Sequence, residues 1–444
     1  MKSLPKTLDE TYDRILRNID EDYRQDALRI LQWLAYSARP LQIEEVAEIV
    51  AVDAEQSRFD PENRLRDPRD VLTICSSLVT TAAITAPRAA SGEITELRLA
   101  HFSVKEYLTS DRIRRGLDFQ YDIQSSAEEE ITQTCLAYLL HFERGVLTST
   151  SLHIFPLARY AARYWCHHFR AIKNLDPATK LSMQLFEGNA FKSWIRLFDP
   201  ETPWTYPDSI KRDISTAASP LYYASREGLF QPLTLLLLET GADVNAQGGY
   251  YGNALQVASY GGHEAIAALL LEKGADVNAQ GGWYGNALQA ASAKGHEAIV
   301  ALLLEKGADV NAQGGEHNKA LEAALRRDHE GNVALLLEKG ADGSPQGGWY
   351  GNALQAASAR GHRAVVALLL EKGADVNAQG GYYANSLEAA SAEGYEAIVV
   401  LLLEKGADVN AQGGYYANSL EAASARGYEA IVTLLAKKKN ELTD

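Results

Sequence analysis

The side chains best suited to chemistry in this sequence are paired aromatics at a fixed interval. Tyr250-Tyr251, Trp283-Tyr284, Trp349-Tyr350, Tyr382-Tyr383 and Tyr415-Tyr416 recur, with Glu316-His317 at the same place once. Exposed Tyr and Trp are rigid and amphipathic and lose little side-chain entropy, which is the composition of a protein-binding surface. A second position varies on the same interval: Gly261, Lys294, Arg327, Arg360, Glu393 and Arg426. The reversal of charge between Arg360, Glu393 and Arg426 has no evident structural use. The charged members are therefore assigned, with the aromatics, to partner binding.

Covalent or metal chemistry finds no comparable set. Cys166-His167-His168 could begin a zinc site, but zinc needs four ligands at workable spacing and no second cluster lies nearby in sequence. Beside Tyr164 and Trp165 it reads as one face of a helix. Gly281-Gly-Trp-Tyr-Gly285 lacks the Lys and Ser/Thr of a phosphate cradle and reads as a tight turn. No Gly-x-x-x-x-Gly-Lys-Ser/Thr string, Ser-His-Asp set or Cys-His pair can be assembled. The expectation is a non-enzymatic protein with no catalytic residue, metal or cofactor.

The elements that position the aromatics are repeats. Gly-Ala-Asp begins at 241, 274, 307, 340, 373 and 406, always 33 residues apart. Full units run 248–280, 281–313, 314–346, 347–379 and 380–412, with a degenerate unit from about 215 and a truncated one from 413. Units 248–280 and 281–313 differ at 5 of 33 positions, a closeness that packing alone does not require. In unit 281–313, Asn286 and Gln289 form an Asn-x-x-Gln helix start, Ala287–Lys294 a short helix of small residues, and Gly295 its left-handed cap. A second helix from about His296 to Lys306 carries Ile299, Leu302 and Leu303 on one face. One unit cannot bury that face alone, so stacking makes the core.

This helix–turn–helix with a hairpin loop resembles the ankyrin repeat. The carriers are Ala301-Leu-Leu-Leu-Glu-Lys-Gly-Ala-Asp-Val-Asn-Ala312 and Gly295-His296, although Asn-Ala-Leu-Gln (286–289) stands where the family has Thr-Pro-Leu-His. The resemblance implies that the aromatic pairs lie near the tips of hairpin fingers. It also implies that the second variable position ends the first helix and faces a concave groove. Unit 314–346 departs most: Lys319, Asp328 and Gly343-Ser-Pro replace the cap Asn, the inter-helix Gly and Val-Asn-Ala. It is expected to be the least stable link.

Residues 1–120 show no repeat. Amphipathic helices are expected around Leu8–Ile19, Ala27–Leu34 and Ile43–Val50, and Asp67-Pro68 opens a fourth carrying Val71, Leu72, Cys75, Leu78 and Val79. Strands at about 80–86 and 94–100, joined by a turn at 89–92, precede a helix from His101. Helices followed by a hairpin predict a winged helix. Residues 121–214 read as a helical connector, with helices at about 126–143, 151–172 and 178–198.

Three strings here resemble the segment that follows the NACHT nucleotide-binding module in fungal NLR-like (STAND) proteins, where ankyrin repeats often come next. They are Leu4-Pro-Lys-Thr-Leu-Asp-Glu-Thr-Tyr-Asp-Arg-Ile-Leu16, Ile30-Leu-Gln-Trp-Leu-Ala35 with Arg39-Pro-Leu41, and Ala100-His-Phe-Ser-Val-Lys-Glu-Tyr-Leu108. The resemblance implies the sensor or regulatory half of such a receptor, with a NACHT-bearing chain as one partner. It does not carry over ATPase activity, because the sequence begins almost where that module would end. It offers His101, at the end of the hairpin, a nucleotide-sensing role, set against a plain structural one.

The net charge is −15. Residues 1–214 hold 27 basic against 32 acidic side chains and the remainder 16 against 26, so neither half shows the basic footprint of nucleic-acid or anionic-membrane binding. Three dispersed cysteines, an acidic start without an apolar signal core and no run long enough for a bilayer point to a cytoplasmic or nuclear protein. The expected fold class is mainly α. It comprises a winged-helix-like domain with a small β-hairpin over 1–120, a helical connector over 121–214, and an ankyrin solenoid of about seven units over 215–444. The array is expected to bind a protein partner through its finger tips and concave face. Two alternatives stand beside this reading: a C-terminal piece of a larger STAND NTPase, and a nuclear regulator using the winged helix.

Overall fold

The computed structural model describes residues 7–53, 56, 58–85, 93–110, 113, 127–143, 147, 152–173, 175–202, 217–316, 319–342 and 350–441. The chain divides into two units, Met1–Pro220 and Leu221–Asp444. In the first, Thr7 accepts the Glu10 amide at 3.1 Å and starts α1 (Leu8–Arg17), acidic in its first turn and basic in its last. α2 (Arg24–Tyr36) and α3 (Ile43–Ile49) follow. Between them lies β1 (Leu41–Gln42), too short to show a period in sequence. It pairs antiparallel with β5 (Glu93–Leu99), which pairs with β4 (Val79–Thr85), giving the sheet order β1-β5-β4. A second small ladder joins β2 (Val52–Asp53) to β3 (Arg58–Phe59).

Three helical expectations need correction. α4 (Asp70–Ile74) ends before Leu78 and Val79, and Val79 opens β4, because the β-branched run Val79-Thr80-Thr81 prefers extended backbone. The helix expected over 151–172 begins only at Ala158, after Pro156, and runs to Phe169. The helix expected over 178–198 is two, Asp176–Glu187 and Ala190–Leu197. At the break, Glu143 accepts the amides of Asn189 (3.1 Å) and Ala190 (2.8 Å), which hold its carboxyl below the usual carboxylate range. A Cβ on Gly188 would meet Glu143 Oε2 at 2.4 Å. The turn expected at 89–92 lies outside the described residues.

Aromatic rings fill the core of this unit: Trp33, Trp165, Trp194, Tyr138 and Tyr160 are fully buried. The rings of Trp165 and Trp194 lie 5.4 Å apart. Buried polar groups are matched across long sequence distances. Arg29 donates to Glu130 (2.6 Å), to the Val52 carbonyl (2.7 Å) and to Thr134 (3.2 Å). His168, in the Cys-His-His string, hydrogen-bonds Glu128 through Nδ1 at 2.6 Å and Tyr160 through Nε2 at 2.9 Å. Cys75, Cys135 and Cys166 are buried free thiols, and burial pushes Cys75 up to about 12, away from thiolate chemistry.

The second unit is built from repeated local choices. Asn253, Asn286, Asn352, Asn385 and Asn418 each accept a first-turn amide at 2.8–2.9 Å. They open the first helices Ala254–Gly261, Ala287–Lys294, Ala353–Arg360, Ser386–Glu393 and Ser419–Arg426. Left-handed glycines close them; Gly295, at φ 79°, turns the chain into the second helix Glu297–Glu305. A ladder of asparagines then joins unit to unit. Asn278 accepts the Asp309 amide at 2.8 Å and donates to the Gly307 carbonyl at 3.1 Å; Asn245, Asn311 and Asn377 do the same.

Unit 314–346 breaks this regularity. Lys319 makes no capping bond, and Asp328 stands at φ 62°, a conformation that strains a residue with a side chain. In sequence Ser344 stands where the next asparagine of the ladder would, outside the described residues. At the joint with unit 347–379, a gap of about 150 Å³ opens between Leu337 and Ala341 on one side and Leu369 and Ala374 on the other.

Candidate protein-binding surface

The two rows of finger residues part company. Members of the outer row stand in solvent: Tyr250, Trp283 and Tyr415 are 48, 45 and 66% exposed, Glu316 is exposed and Tyr382 half-buried. Their backbones join neighbouring fingers. The Trp283 amide donates to the Tyr250 carbonyl, the Glu316 amide to the Trp283 carbonyl, and the Tyr415 amide to the Tyr382 carbonyl, each at 3.0 Å. This brings the rings face to face: Tyr250 on Trp283 at 5.3 Å and 19°, Tyr382 on Tyr415 at 5.0 Å and 18°. The Trp283 indole N–H also donates to Glu316 at 2.6 Å. His317 and Trp349 lie outside the described residues.

The inner row is not an exposed surface. Tyr284 and Tyr383 are buried, and Tyr251, Tyr350 and Tyr416 half-buried. They pack on the small residues of the first helices, Tyr284 with Ala290, Ala293 and Ala323, and Tyr383 with Ala359, Ala389 and Ala422. That packing explains why the first helices are rich in alanine. Burial raises the Tyr284 phenol, and burial with the bond to Glu393 raises Tyr383. Sequence reasoning missed Tyr260, which sits 4.1 Å from the Tyr251 ring and 5.6 Å from Tyr284. Its signal was a lone aromatic where four sibling units carry alanine and one carries Arg326.

The second variable position has structural uses after all. Glu393 accepts from the Tyr383 hydroxyl at 2.5 Å and pairs with Arg426 at 3.6 Å. Arg360 pairs with Asp328 at 3.6 Å and lies over the Tyr350 ring at 6.0 Å. Lys294 lies over the Tyr260 ring at 4.5 Å. The charge reversal thus serves contacts within and between neighbouring units. Lys294, Arg327, Arg360 and Arg426 are exposed, and Glu393 is half-buried.

His101 acts as a helix cap. Its Nδ1 accepts the Ser103 amide at 3.2 Å and meets Ser103 Oγ at 2.7 Å, opening the helix Phe102–Leu108. Tyr12 holds the same hydroxyl at 2.6 Å. Among the described residues, no group of His, Cys, Asp and Glu could hold a metal, and no helix is long and apolar enough to cross a membrane.

Comparison with known proteins finds matching family models, a relative and solved structures. Residues 16–124 match the family model "GPI inositol-deacylase, winged helix domain". Residues 255–304, 282–347 and 345–413 match models of ankyrin repeats. A relative in Monascus ruber, "Azaphilone pigments biosynthesis cluster protein L", is 44% identical over 278 residues, covering 59% of this chain; the chain spans 58% of that relative. Among solved structures, the human ASB11 ankyrin repeat domain is 29% identical, with a TM-score of 0.44, over 49% of this chain and 97% of that one. The ankyrin repeat domain of Bcl-3 is 26% identical, with a TM-score of 0.43, over 49% of this chain and 100% of its own.

Proposed function

From the premise that this chain joins a winged-helix domain of the GPI inositol-deacylase type to ankyrin repeats, we propose that it is a non-enzymatic interaction protein whose finger edge binds a protein partner. The observation that carries this is the pair of exposed aromatic stacks, Tyr250 on Trp283 and Tyr382 on Tyr415. Each ring is held by its neighbour before any partner arrives, so part of the ordering entropy of binding is already lost. The exposed cations at the first-helix ends add charge to that edge. We assign the whole a cytoplasmic sensor or regulatory role, with a NACHT-bearing module as the natural companion of the winged helix. The relative's name sets that protein in a pigment biosynthesis cluster; an interaction protein fits such a setting without performing a synthetic step.

The test is a purified partner, identified by capture, and its affinity for variants. Tyr250→Ala, Trp283→Ala, Tyr382→Ala and Tyr415→Ala combined should weaken binding by about 30-fold or more with an unchanged circular dichroism spectrum. A control carrying Glu272→Ala and Glu305→Ala on exposed second-helix ends should bind as wild type. Full affinity in the folded aromatic variant would reject the reading.

A further inference from the structure

The side chain that ties each finger to the helix before it is not the same in every unit. Gln256 donates from Nε2 to the carbonyls of Ala279 (3.1 Å), Gly281 (3.2 Å) and Gly285 (3.1 Å) of the next finger. Gln289 reaches Ala312 at 3.1 Å, and Gln355 reaches Ala378 at 3.0 Å and Ala384 at 2.9 Å. The same position holds Glu322 in unit 314–346, where residues 343–349 of the finger that follows lie outside the described residues, and Glu388 and Glu421 in the last two units. Glu421 is exposed. Glu388 is fully buried beneath the finger that follows it. Tyr416 donates its amide to Oε1 at 3.2 Å, and a Cβ on Gly414 would sit 2.4 Å from that oxygen. Oε2 is buried without a hydrogen-bond partner.

A carboxylate offers only acceptors where its siblings offer donors. Only the protonated carboxyl can give an O–H to a finger carbonyl. The ionisable groups on the elements packed around it are Tyr382 and Tyr383 on its own finger, Tyr415 and Tyr416 on the next, Glu393 on its own helix, Glu396 and Glu404 on the second helix of its unit, Arg360 before it, and Glu421 and Arg426 after it. Both arginines are engaged elsewhere, Arg360 by Asp328 and Arg426 by Glu393.

We propose that Glu388 is a proton-operated latch on the terminal finger: protonated, it clips residues 413–417 as glutamine clips the earlier fingers; ionised, it lets that finger, with Tyr415 and Tyr416, come away. This rests on the binding role proposed above for its meaning, but the latch itself needs no partner. Burial pushes the carboxyl from the ordinary 4.5 up to about 7, against the pull of the Tyr416 amide. A folded-state value above the unfolded one means the stabilisation is complete below 4.5 and is lost as pH rises to about 7.

Amide hydrogen exchange of the full chain, corrected for intrinsic rates, reads this directly. Protection over residues 415–423 should fall about tenfold between pH 6 and pH 8, while the finger 281–285 keeps its protection. Glu388→Gln should retain the low-pH protection at both values, and Gln355→Glu should create a second pH-dependent finger at 380–384. A flat wild-type profile, an unchanged fall in Glu388→Gln, or no fall at 380–384 in Gln355→Glu overturns the proposal. Exchange is read without a partner, so a latch that works while the aromatic variants bind normally would reject the finger reading alone.

Discussion

The two units of this chain are held by opposite strategies. In Met1–Pro220 the deciding bonds join residues 40 to 105 positions apart, each made once: Arg29 to Glu130 and Thr134, Glu48 to Tyr138, Glu128 to His168. In Leu221–Asp444 they span 23 to 37 positions and recur: glutamine to the next finger, asparagine to the next turn, histidine to the preceding helix. A unique buried network has no substitute when one member is lost. A repeated clip is one of several, and its loss loosens one joint. The difference predicts how far damage spreads.

The largest effect should follow from Arg29→Met. It leaves the Glu130 carboxylate and the buried Thr134 without their cation, a loss of about 3–5 kcal/mol for breaking a buried pair. In denaturant unfolding, the transition of the first unit should move to lower denaturant while the array's stays in place. If both transitions shift together, the contrast between the units fails.

The same contrast explains what could be read in advance. The array was legible because its period, caps and glycines are local and copied. The first unit was legible only where periodicity reached. Leu41–Gln42 is a strand because β5 lies beside it, and the break at Gly188 depends on Glu143, 45 residues earlier; neither leaves a local mark. In the fingers, sequence located the aromatic pairs but not their orientation. Two adjacent rings look alike in sequence, whereas the hairpin turns Trp283 outward and Tyr284 into the alanines. The charge of Glu393 looked free for a partner because Tyr383 and Arg426 reach it only once the units stack.

Within the array, the irregular joint offers a middle-sized test. At Gly295 a Cβ would meet the His329 ring at 2.6 Å. At the corresponding place, Asp328 is tolerated because His362 has turned to Asp328 at 2.9 Å and to Glu330 at 2.8 Å. Gly295→Asp should therefore destabilise its joint by about 2 kcal/mol, through left-handed backbone strain and the clash. Asp328→Gly should stabilise its own joint by about 1 kcal/mol, the relieved strain exceeding the exposed ion pairs given up. Thermal melts of the two variants should shift in opposite directions. Equal shifts would mean that the two joints are alike despite their wiring.

The smallest effect separates structure from function at the second variable position. Arg426 and Glu393 face each other at 3.6 Å with substantial exposure on both sides, a geometry that water and salt weaken. Arg426→Gln should leave the melting midpoint of the array unmoved at physiological salt. Because a clip that contributes little to folding is free to serve a partner, the same variant should slow association with an acidic partner and lower its dependence on ionic strength. A clear drop in the melting midpoint would place Arg426 with the inner tyrosines, as part of the stack; an unmoved midpoint with altered association keeps it with Tyr250 and Trp283, on the edge proposed to bind a partner.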